Sequence, residues 1–319
     1  MTDGIAPAYW PVKRLLLVLG VAATAYALAL LLWGDGHLVA WSVLGSTAGL
    51  QAAGLCLLSY GLRGLRWRLW MAHYGRVFGW VEGLRLYVSG YAFTPTPGNV
   101  GEAMRGLMLA NKPLPLLQSL AIFGAERLAD LVCLLLLCLP AVLWLANHAL
   151  MHSALHSAID GAAGWWVGLG LVAMLLLTVL TAVVWRKRQR LLQRFEWLQE
   201  AWVCLSVRPV VWFALTLTAW AAQGLAVWLI CRALDVQMLP LTAVGFYAVA
   251  MVVGAVSALP AGLGSMEVVL TGLLVAQSAS MPQALAITVL ARLLTLWLAV
   301  AIGVLALLYS AVIRKDIRF

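Results

Sequence analysis

Between Val236 and Ile313 the chain carries only two charged residues, Glu267 and Arg292. Ordinary soluble domains have a charged residue at about every fourth position. The whole chain is similarly apolar, because 64% of its 319 residues are hydrophobic and 10% are charged. This composition excludes a water-soluble globular enzyme. It predicts an all-α, polytopic membrane protein, since a helix satisfies its own backbone hydrogen bonds in lipid.

Several other segments are apolar and reach about the 20 residues that a helix needs to cross a bilayer, and all but the extension of the third are uncharged. They are Leu15–Trp33, Leu38–Leu62, Leu131–Asn147 with its extension back to Leu116, Gly161–Trp185 and Pro209–Cys231. The first follows Lys13 and Arg14 as in a signal peptide, but its length favours a retained helix. We therefore predict a single integral membrane domain over residues 1–319, with roughly six to ten crossings.

The basic residues are concentrated at a few places between these segments. Fifteen of the 21 Lys and Arg lie at 13–14, 63–76, 186–208 and 314–318. Because basic loops stay in the cytoplasm, this pattern predicts a bacterial inner-membrane protein with both termini cytoplasmic. The net charge of +9 thus reflects orientation and not a nucleic-acid surface. Arg63–Arg76 and Gln189–Ser206, which mix aromatic with charged residues, are interpreted as connecting helices at the lipid headgroups.

Two parts of the chain resemble each other at a fixed spacing. Gln118–Leu131 and Gln283–Leu296 align without a gap, with seven of fourteen positions identical. The same alignment, extended in both directions without a gap, superposes Pro95 on Pro260, Glu102 on Glu267 and Arg127 on Arg292. We therefore predict two internal repeats, centred on residues 91–147 and 256–313.

The predicted orientation makes these repeats run in opposite directions through the membrane. The helix containing Arg127 is expected to end outside, and the helix containing Arg292 is expected to end inside at Arg314. Inverted repeats with broken helices are typical of secondary transporters. A parallel duplication is the competing possibility.

Each repeat contains a Pro/Gly break in an apolar segment. Such breaks are tolerated at membrane depth where protein or a wet cavity satisfies the backbone. They predict re-entrant or unwound segments beside a cavity, with helix starts at Glu102 and Glu267 that suit an anionic group; kinks packed against neighbours are the alternative. The break residues are Pro95, Pro97, Gly98 and Gly101 in the first repeat and Pro260, Gly262 and Gly264 in the second.

Charged residues inside spans cost about 3 kcal/mol or more each, so they are functional or paired by default. Two interpretations of these residues stay open. In one, the Glu of each break pairs with the Arg of the same repeat and fixes the break to a helix. In the other, the arginines bind a lipid phosphate. The candidate substrate-binding or gating residues are Glu102, Arg105, Glu126, Arg127, Asp130, Glu267 and Arg292.

Other motifs that carry chemistry are missing from the sequence. It contains no Walker A, GxSxG or HExxH pattern. His148, His152 and His156 recur at helical spacing, but no further ligand in metal spacing completes a site. Five scattered cysteines without CxxC spacing argue against a zinc or disulfide framework. We therefore expect no metal, no cofactor and no catalytic residue.

Four motifs together resemble a known family. Pro97–Arg105, Glu126–Arg127, Leu259–Glu267 and Ala291–Leu293 are similar to the lysylphosphatidylglycerol synthase transmembrane-region family, which is also described as flippase-like. The resemblance extends from about Leu15 to Leu308. In bifunctional members a soluble aminoacyl-transferase domain follows this part, and none follows within these 319 residues. The resemblance therefore implies the translocation half of that activity.

What the resemblance implies about partners is a membrane lipid. An anionic phospholipid, a polyprenyl-phosphate-linked sugar and a hopanoid-type lipid all fit, as do enzymes of lipid or envelope biosynthesis as protein partners. The leading hypothesis is a flippase that moves an anionic headgroup between leaflets. The alternatives are an intramembrane lipid transferase, with Glu102 or Glu267 as general base, and a scaffold for a biosynthetic enzyme.

Overall fold

The computed structural model describes residues 42–111, 113–155, 196–257, 259–314 and 317. The predicted spans Leu15–Trp33 and Gly161–Trp185 lie outside these residues. Within the described part the chain is a bundle of helices without strands, apart from one isolated bridge between Leu109 and Ile317. The predicted all-α membrane bundle is confirmed.

Eleven α-helices follow one another in the described residues. They are α1 Thr47–His73, α2 Trp80–Ser89, α3 Met104–Leu107, α4 Leu116–Leu137, α5 Leu139–Leu155, α6 Glu196–Ser206, α7 Pro209–Ala233, α8 Pro240–Val256, α9 Ser265–Ala276, α10 Met281–Arg292 and α11 Leu298–Leu308. Short 3₁₀ helices cover Gly90–Phe93, Pro97–Ala103 and Pro260–Gly262, and π-helical turns cover Leu293–Trp297 and Tyr309–Ile313.

Three helical runs of the described chain are long and apolar enough to cross a membrane. They are Leu116–His148, Pro209–Ala233 and Met281–Ile313. The first two confirm the spans predicted over 116–147 and 209–231. Leucines and valines on these runs, such as Val132, Leu143 and Leu305, remain exposed on the surface of the bundle. In a membrane protein such side chains face the lipid tails.

The predicted span Leu38–Leu62 has the wrong bounds. A turn at Gly45–Ser46 interrupts it, and α1 begins immediately afterwards. The Ser46 hydroxyl caps the new helix by accepting a hydrogen bond from the Gly49 amide at 3.3 Å. The helix then continues well past the predicted end, to His73, and Arg63 and Arg66 are buried inside the bundle.

The interpretation of Arg63–Arg76 as a headgroup-level stretch is therefore wrong for its first half. Arg63, Arg66, Trp67 and Trp70 are all buried. α1 packs along α7, and this packing removes the two arginines from the surface. They consequently do not count as basic loop residues when the orientation is predicted.

The interfacial helix predicted over Gln189–Ser206 is described from Glu196 onward as α6. It packs on α4, where the Trp197 ring approaches so closely that a Cβ at Gly124 would lie 2.9 Å from it. Ala201 and Cys204 are buried in the same contact. This helix is thus part of the bundle, and residues 189–195 lie outside the described part.

The repeat reappears in the helix boundaries. α4 begins at Leu116 and α10 at Met281, and these two residues are equivalent in the gap-free alignment of the repeats. The two spanning runs that start there are each 33 residues long. The internal similarity therefore extends from sequence to secondary structure, whereas the opposite direction of the two repeats stays a prediction.

The second break joins two short helices that pack against each other. α8 has 17 residues and α9 has 12, so they are about 25 and 18 Å long and fall short of the ~30 Å hydrocarbon core. Gly262 lies between them with φ of 64°, and a Cβ there would lie 2.9 Å from the Gly254 Cα. The first break, around Pro97–Ala103, contacts the second around Pro260–Gly262.

A π-helical turn separates α10 from α11. Such a turn leaves backbone carbonyls without their usual helical partners, and the Tyr60 hydroxyl donates a hydrogen bond to the Leu294 carbonyl at 2.6 Å. Beyond the turn, Gly303 of α11 lies directly against the 3₁₀ helix Gly90–Phe93, which precedes the first break. A Cβ at this glycine would lie 2.5 Å from the Ala92 amide nitrogen.

The five native cysteines are free and buried, and we expect them to stay unlabelled by a maleimide in the folded protein. Cys204 lies on α6, which is too short to span, and burial raises the pKa of its thiol to about 11. Because the thiolate is the nucleophile, a raised pKa leaves little reactive form at pH 7. The exposed Gln199→Cys variant on the same helix is the positive control. Equal labelling of the wild type and this variant contradicts the burial.

The direction of the repeats is testable with two equivalent positions, Leu116 and Met281, which are 60% and 56% exposed. We expect Leu116→Cys and Met281→Cys to react with an impermeant maleimide from opposite sides of sealed membrane vesicles. Reaction of both from the same side indicates a parallel duplication. The wild type supplies the background for both measurements.

Candidate functional site

Six charged side chains meet inside the bundle and alternate in sign around a closed ring, which we call the ion-pair ring. The contacts around it are Arg66–Asp130 at 2.7 Å, Asp130–Arg127 at 3.2 Å, Arg127–Glu102 at 3.5 Å, Glu102–Arg105 at 2.5 Å, Arg105–Glu126 at 3.2 Å and Glu126–Arg66 at 4.0 Å. Five of its members were predicted site residues, and Arg66 was not.

The ring lies on a helix that belongs to an apolar run long enough to cross a membrane. Its three α4 members are Glu126, Arg127 and Asp130, and they lie near the middle of that helix. Glu126 is about 15 Å of helix rise from the start of α4. Apolar turns therefore flank these charges on both sides, and an unpaired charge inside such a span is costly.

Every carboxylate of the ring contacts two guanidinium groups. Glu102, Glu126 and Asp130 are each at most 4% exposed, and an unpaired charge there is very costly. Glu102 additionally accepts a hydrogen bond from the Thr94 hydroxyl at 2.8 Å. Each of the three carboxylates is therefore paired on both sides.

α3 begins at Met104, two residues after the predicted start at Glu102. Glu102 lies inside the 3₁₀ helix Pro97–Ala103, so its carboxylate accepts from Thr94 and the arginines and not from free backbone amides. The first break therefore offers an ion-pair ring where a helix N-terminus was expected. Pro95 is buried just before this 3₁₀ helix, which begins at Pro97 and contains Gly98 and Gly101.

The second break is held by a simpler arrangement. α9 begins at Ser265, close to the predicted start, and Glu267 caps it by accepting from the Gly264 amide at 2.8 Å. Arg292 pairs with Glu267 at 2.6 Å and donates to the Ala261 carbonyl at 3.0 Å. Both Glu–Arg pairs expected from the repeat, this one and Glu102–Arg127, are thus present. Pro260 and Gly262 lie in the adjoining 3₁₀ turn.

Sequence reasoning missed the polar residues that support the ring from α1 and α7. Arg66 donates to the Thr216 hydroxyl at 2.9 Å, and the Trp220 indole donates to Asp130 at 3.2 Å. Arg63 lies one helical turn before Arg66. Its guanidinium donates to Gln223 at 3.0 Å and stacks 3.9 Å above the Trp220 ring. A helical spacing of three with no intervening Pro was the available signal for both arginines.

Arg127 differs from the other ring members in its exposure. Its side chain is 35% exposed, against 6% or less for the others. It lies over Phe123, with its guanidinium carbon 5.4 Å from the ring centre. Phe123, Glu102, Arg105 and Glu126 line a small cavity with room for about one water molecule. The ring thus has a closed, acid-lined side and an accessible arginine.

No group of three His, Cys, Asp or Glu in the described part of the chain is placed to hold a metal ion. His148 stacks on Trp144, with ring centres 4.8 Å apart. The side chain of His152 and the whole of His156 lie outside the described part.

The family model for the lysylphosphatidylglycerol synthase transmembrane region matches residues 16–303. The chain belongs to this family. The match includes both breaks and every member of the ion-pair ring. A search of curated proteins found no match. Family membership and the apolar helices make this a multi-pass membrane protein with a lipid-related function.

In this family member we expect the Glu267–Arg292 pair to be structural. Arg292→Met leaves a carboxylate without its partner, which costs about 3 kcal/mol, seen as a lower melting temperature in detergent. Adding Glu267→Gln removes the unpaired negative charge and keeps an acceptor for the Gly264 amide. The double variant should therefore recover most of the melting temperature that Arg292→Met lowers. A double variant as unstable as Arg292→Met contradicts the pairing.

Proposed function

We propose that this protein moves an anionic lipid, or a lipid-linked anionic headgroup, between the leaflets of the bacterial inner membrane. The observation that carries the proposal is Arg127, a guanidinium on an apolar spanning helix that belongs to the ion-pair ring and is nevertheless 35% exposed. Intramembrane arginines of this kind mark substrate pathways. A phosphate is the anion that a guanidinium binds best, through two parallel hydrogen bonds.

The contacts of Arg127 suit exchange for such a ligand. Its nitrogen lies 3.5 Å from Glu102 and 3.2 Å from Asp130, longer than the 2.5 and 2.7 Å pairs elsewhere in the ring. Both acids keep a second arginine when Arg127 turns away. A phosphate then replaces their oxygens at Arg127 without leaving a carboxylate unpaired, so the exchange avoids the main cost of opening a buried ion pair.

The cavity beside the ring is far smaller than a headgroup, so binding requires the bundle to open. Glu102 comes from the first break and Arg105 from α3 directly after it, whereas Glu126 and Arg127 come from α4. Movement of the break relative to α4 therefore separates the two halves of the ring. The two breaks contact each other, and we propose that they move in alternation as inverted repeats while the lipid tail stays in the bilayer.

The proposal includes the cargo classes, partners and placement that the family resemblance implies. The cargo is an anionic phospholipid, a polyprenyl-phosphate-linked sugar or a hopanoid-type lipid, and enzymes of lipid or envelope biosynthesis supply or consume it. Both termini face the cytoplasm. The lipid changes leaflet without a change in covalent structure, so the protein is a transporter and not an enzyme.

Mass spectrometry of lipids that co-purify in mild detergent tests the proposal. We expect one anionic lipid to be enriched with the wild type and to fall about tenfold in Arg127→Ala, which loses a charge-assisted contact. Arg232→Ala is the matched control, since Arg232 ends α7 outside the ring and lies over Trp228. The enriched lipid then serves as cargo in a leaflet-exchange assay with vesicles.

The other outcomes favour different functions. Bulk membrane lipid in the same proportions for all three proteins makes Arg127 a structural ion-pair partner and supports the scaffold hypothesis. A covalently altered lipid produced by the purified protein supports the transferase hypothesis.

A further inference from the structure

One buried guanidinium of the site belongs to no ion pair with a described residue. Arg63 is 8% exposed, and its Nε has no hydrogen-bond partner in the described part of the chain. Its hydrogen bond goes to the neutral amide of Gln223. A buried cation without an ion-pair partner is costly, so an additional anion near Arg63 is favourable.

Arg63 is electrically part of the same site as the ion-pair ring. Trp220 joins them, because its indole N–H donates to Asp130 while Arg63 lies 3.9 Å from its ring centre. Arg63 also precedes Arg66 by one turn of α1, or about 5 Å of rise. A charge bound at the ring therefore interacts electrostatically with Arg63 through a medium of low dielectric constant.

The charges of this site do not cancel. Its four arginines, 63, 66, 105 and 127, face the three carboxylates 102, 126 and 130, so the described residues carry one excess positive charge. The Glu267–Arg292 pair at the second break is neutral and leaves this count unchanged.

We propose that the site is charge-matched to a headgroup with one net negative charge, such as a phosphodiester, and that Arg63 sets this preference. The inference rests on the proposed function and narrows its cargo. A phosphodiester neutralises the site. A phosphomonoester or diphosphate leaves it negative, and a zwitterionic headgroup leaves it positive while adding an ammonium group. Each carboxylate that an ammonium needs already contacts two guanidiniums.

Gln223 offers a way to cancel the excess charge without removing Arg63. Its Oε1 accepts hydrogen bonds from Arg63 and from the Tyr247 hydroxyl, both at 3.0 Å. In Gln223→Glu a carboxylate of the same shape accepts both bonds and forms an ion pair with Arg63. The fold is thereby retained, while the site becomes neutral before any lipid binds. Arg63→Gln removes the same charge by a second route.

The experiment measures binding of three lipids with identical acyl chains to protein in detergent. The probes are phosphatidylglycerol with one negative charge, phosphatidylethanolamine with none, and phosphatidate with two at alkaline pH. We expect the wild type to bind phosphatidylglycerol more tightly than both other lipids. In Gln223→Glu and in Arg63→Gln, we expect the ratio of phosphatidylglycerol affinity to phosphatidylethanolamine affinity to fall roughly tenfold. Arg63→Lys keeps the charge and the preference. Arg68→Gln, on the same helix but bonded to the Phe78 carbonyl outside the site, also keeps it.

The failure of this inference is distinct from the failure of the proposed function. If the wild type binds these lipids but Gln223→Glu has an unchanged preference, Arg63 does not set the charge of the cargo and the inference is wrong. A wild type that prefers phosphatidate or phosphatidylethanolamine also overturns it, while a lipid-binding function survives. If the wild type binds none of the three lipids, both this inference and the proposed function are wrong.

Discussion

A bilayer does not solvate charge, so every ionised group at its centre must be solvated by the protein that carries it. In this molecule that constraint organises the bundle. The three carboxylates of the ion-pair ring lie on α4 and on the first break, and the guanidiniums that satisfy them come from α1, α4 and the segment after the break. α7 supplies the hydroxyl of Thr216 and the indole of Trp220 as further hydrogen-bond partners. These elements are therefore held together by charge satisfaction as well as by apolar packing. Every member of the ring already has partners of opposite charge within the protein, which explains how a strongly polar cluster is compatible with a closed bundle.

The two repeats use the same Glu–Arg spacing to different ends. At the second break Glu267 caps α9 and forms one short pair with Arg292, whose other contact is a backbone carbonyl. This arrangement fixes the turn between two half-length helices. At the first break Glu102 shares its oxygens between two arginines and a threonine, and its neighbours continue the pairing to α1. A Glu–Arg pair thus links break and helix at both places, and among the described residues the further charges of the ion-pair ring lie around the first break.

Much of this was accessible from the sequence. Apolar length predicted the helices from Leu116 and Pro209, and the alignment of the two repeats predicted that Glu102 and Glu267 each have an Arg within reach. The burial of Arg63 and Arg66 was not predicted, because hydropathy and the positive-inside rule both assign an Arg at the end of an apolar segment to the surface. Their burial depends on partners in helices that are distant in sequence. Gln223 and Thr216 are isolated polar residues in an apolar helix, with no periodicity to distinguish them. The Pro/Gly pattern of the first break indicated an interruption, but not that it forms a 3₁₀ helix with Glu102 inside it, because several turn types accept the same residues.

The π-helical turn at Leu293–Trp297 divides one long helix into two parts. It changes the direction in which the side chains of the second part face around the helix axis. A π turn holds one residue more than an α turn, so the helix beyond it is rotated by about 100° from its regular continuation. Arg292 can therefore face Glu267 while Gly303 faces the backbone of the 3₁₀ helix Gly90–Phe93. Loss of one residue from this turn restores a regular helix and swings one of these faces away from its partner, whereas most replacements of a single side chain leave both in place. The number of residues in this stretch is therefore constrained more tightly than their identity. The Tyr60 hydroxyl contacts the π turn through its hydrogen bond to the Leu294 carbonyl.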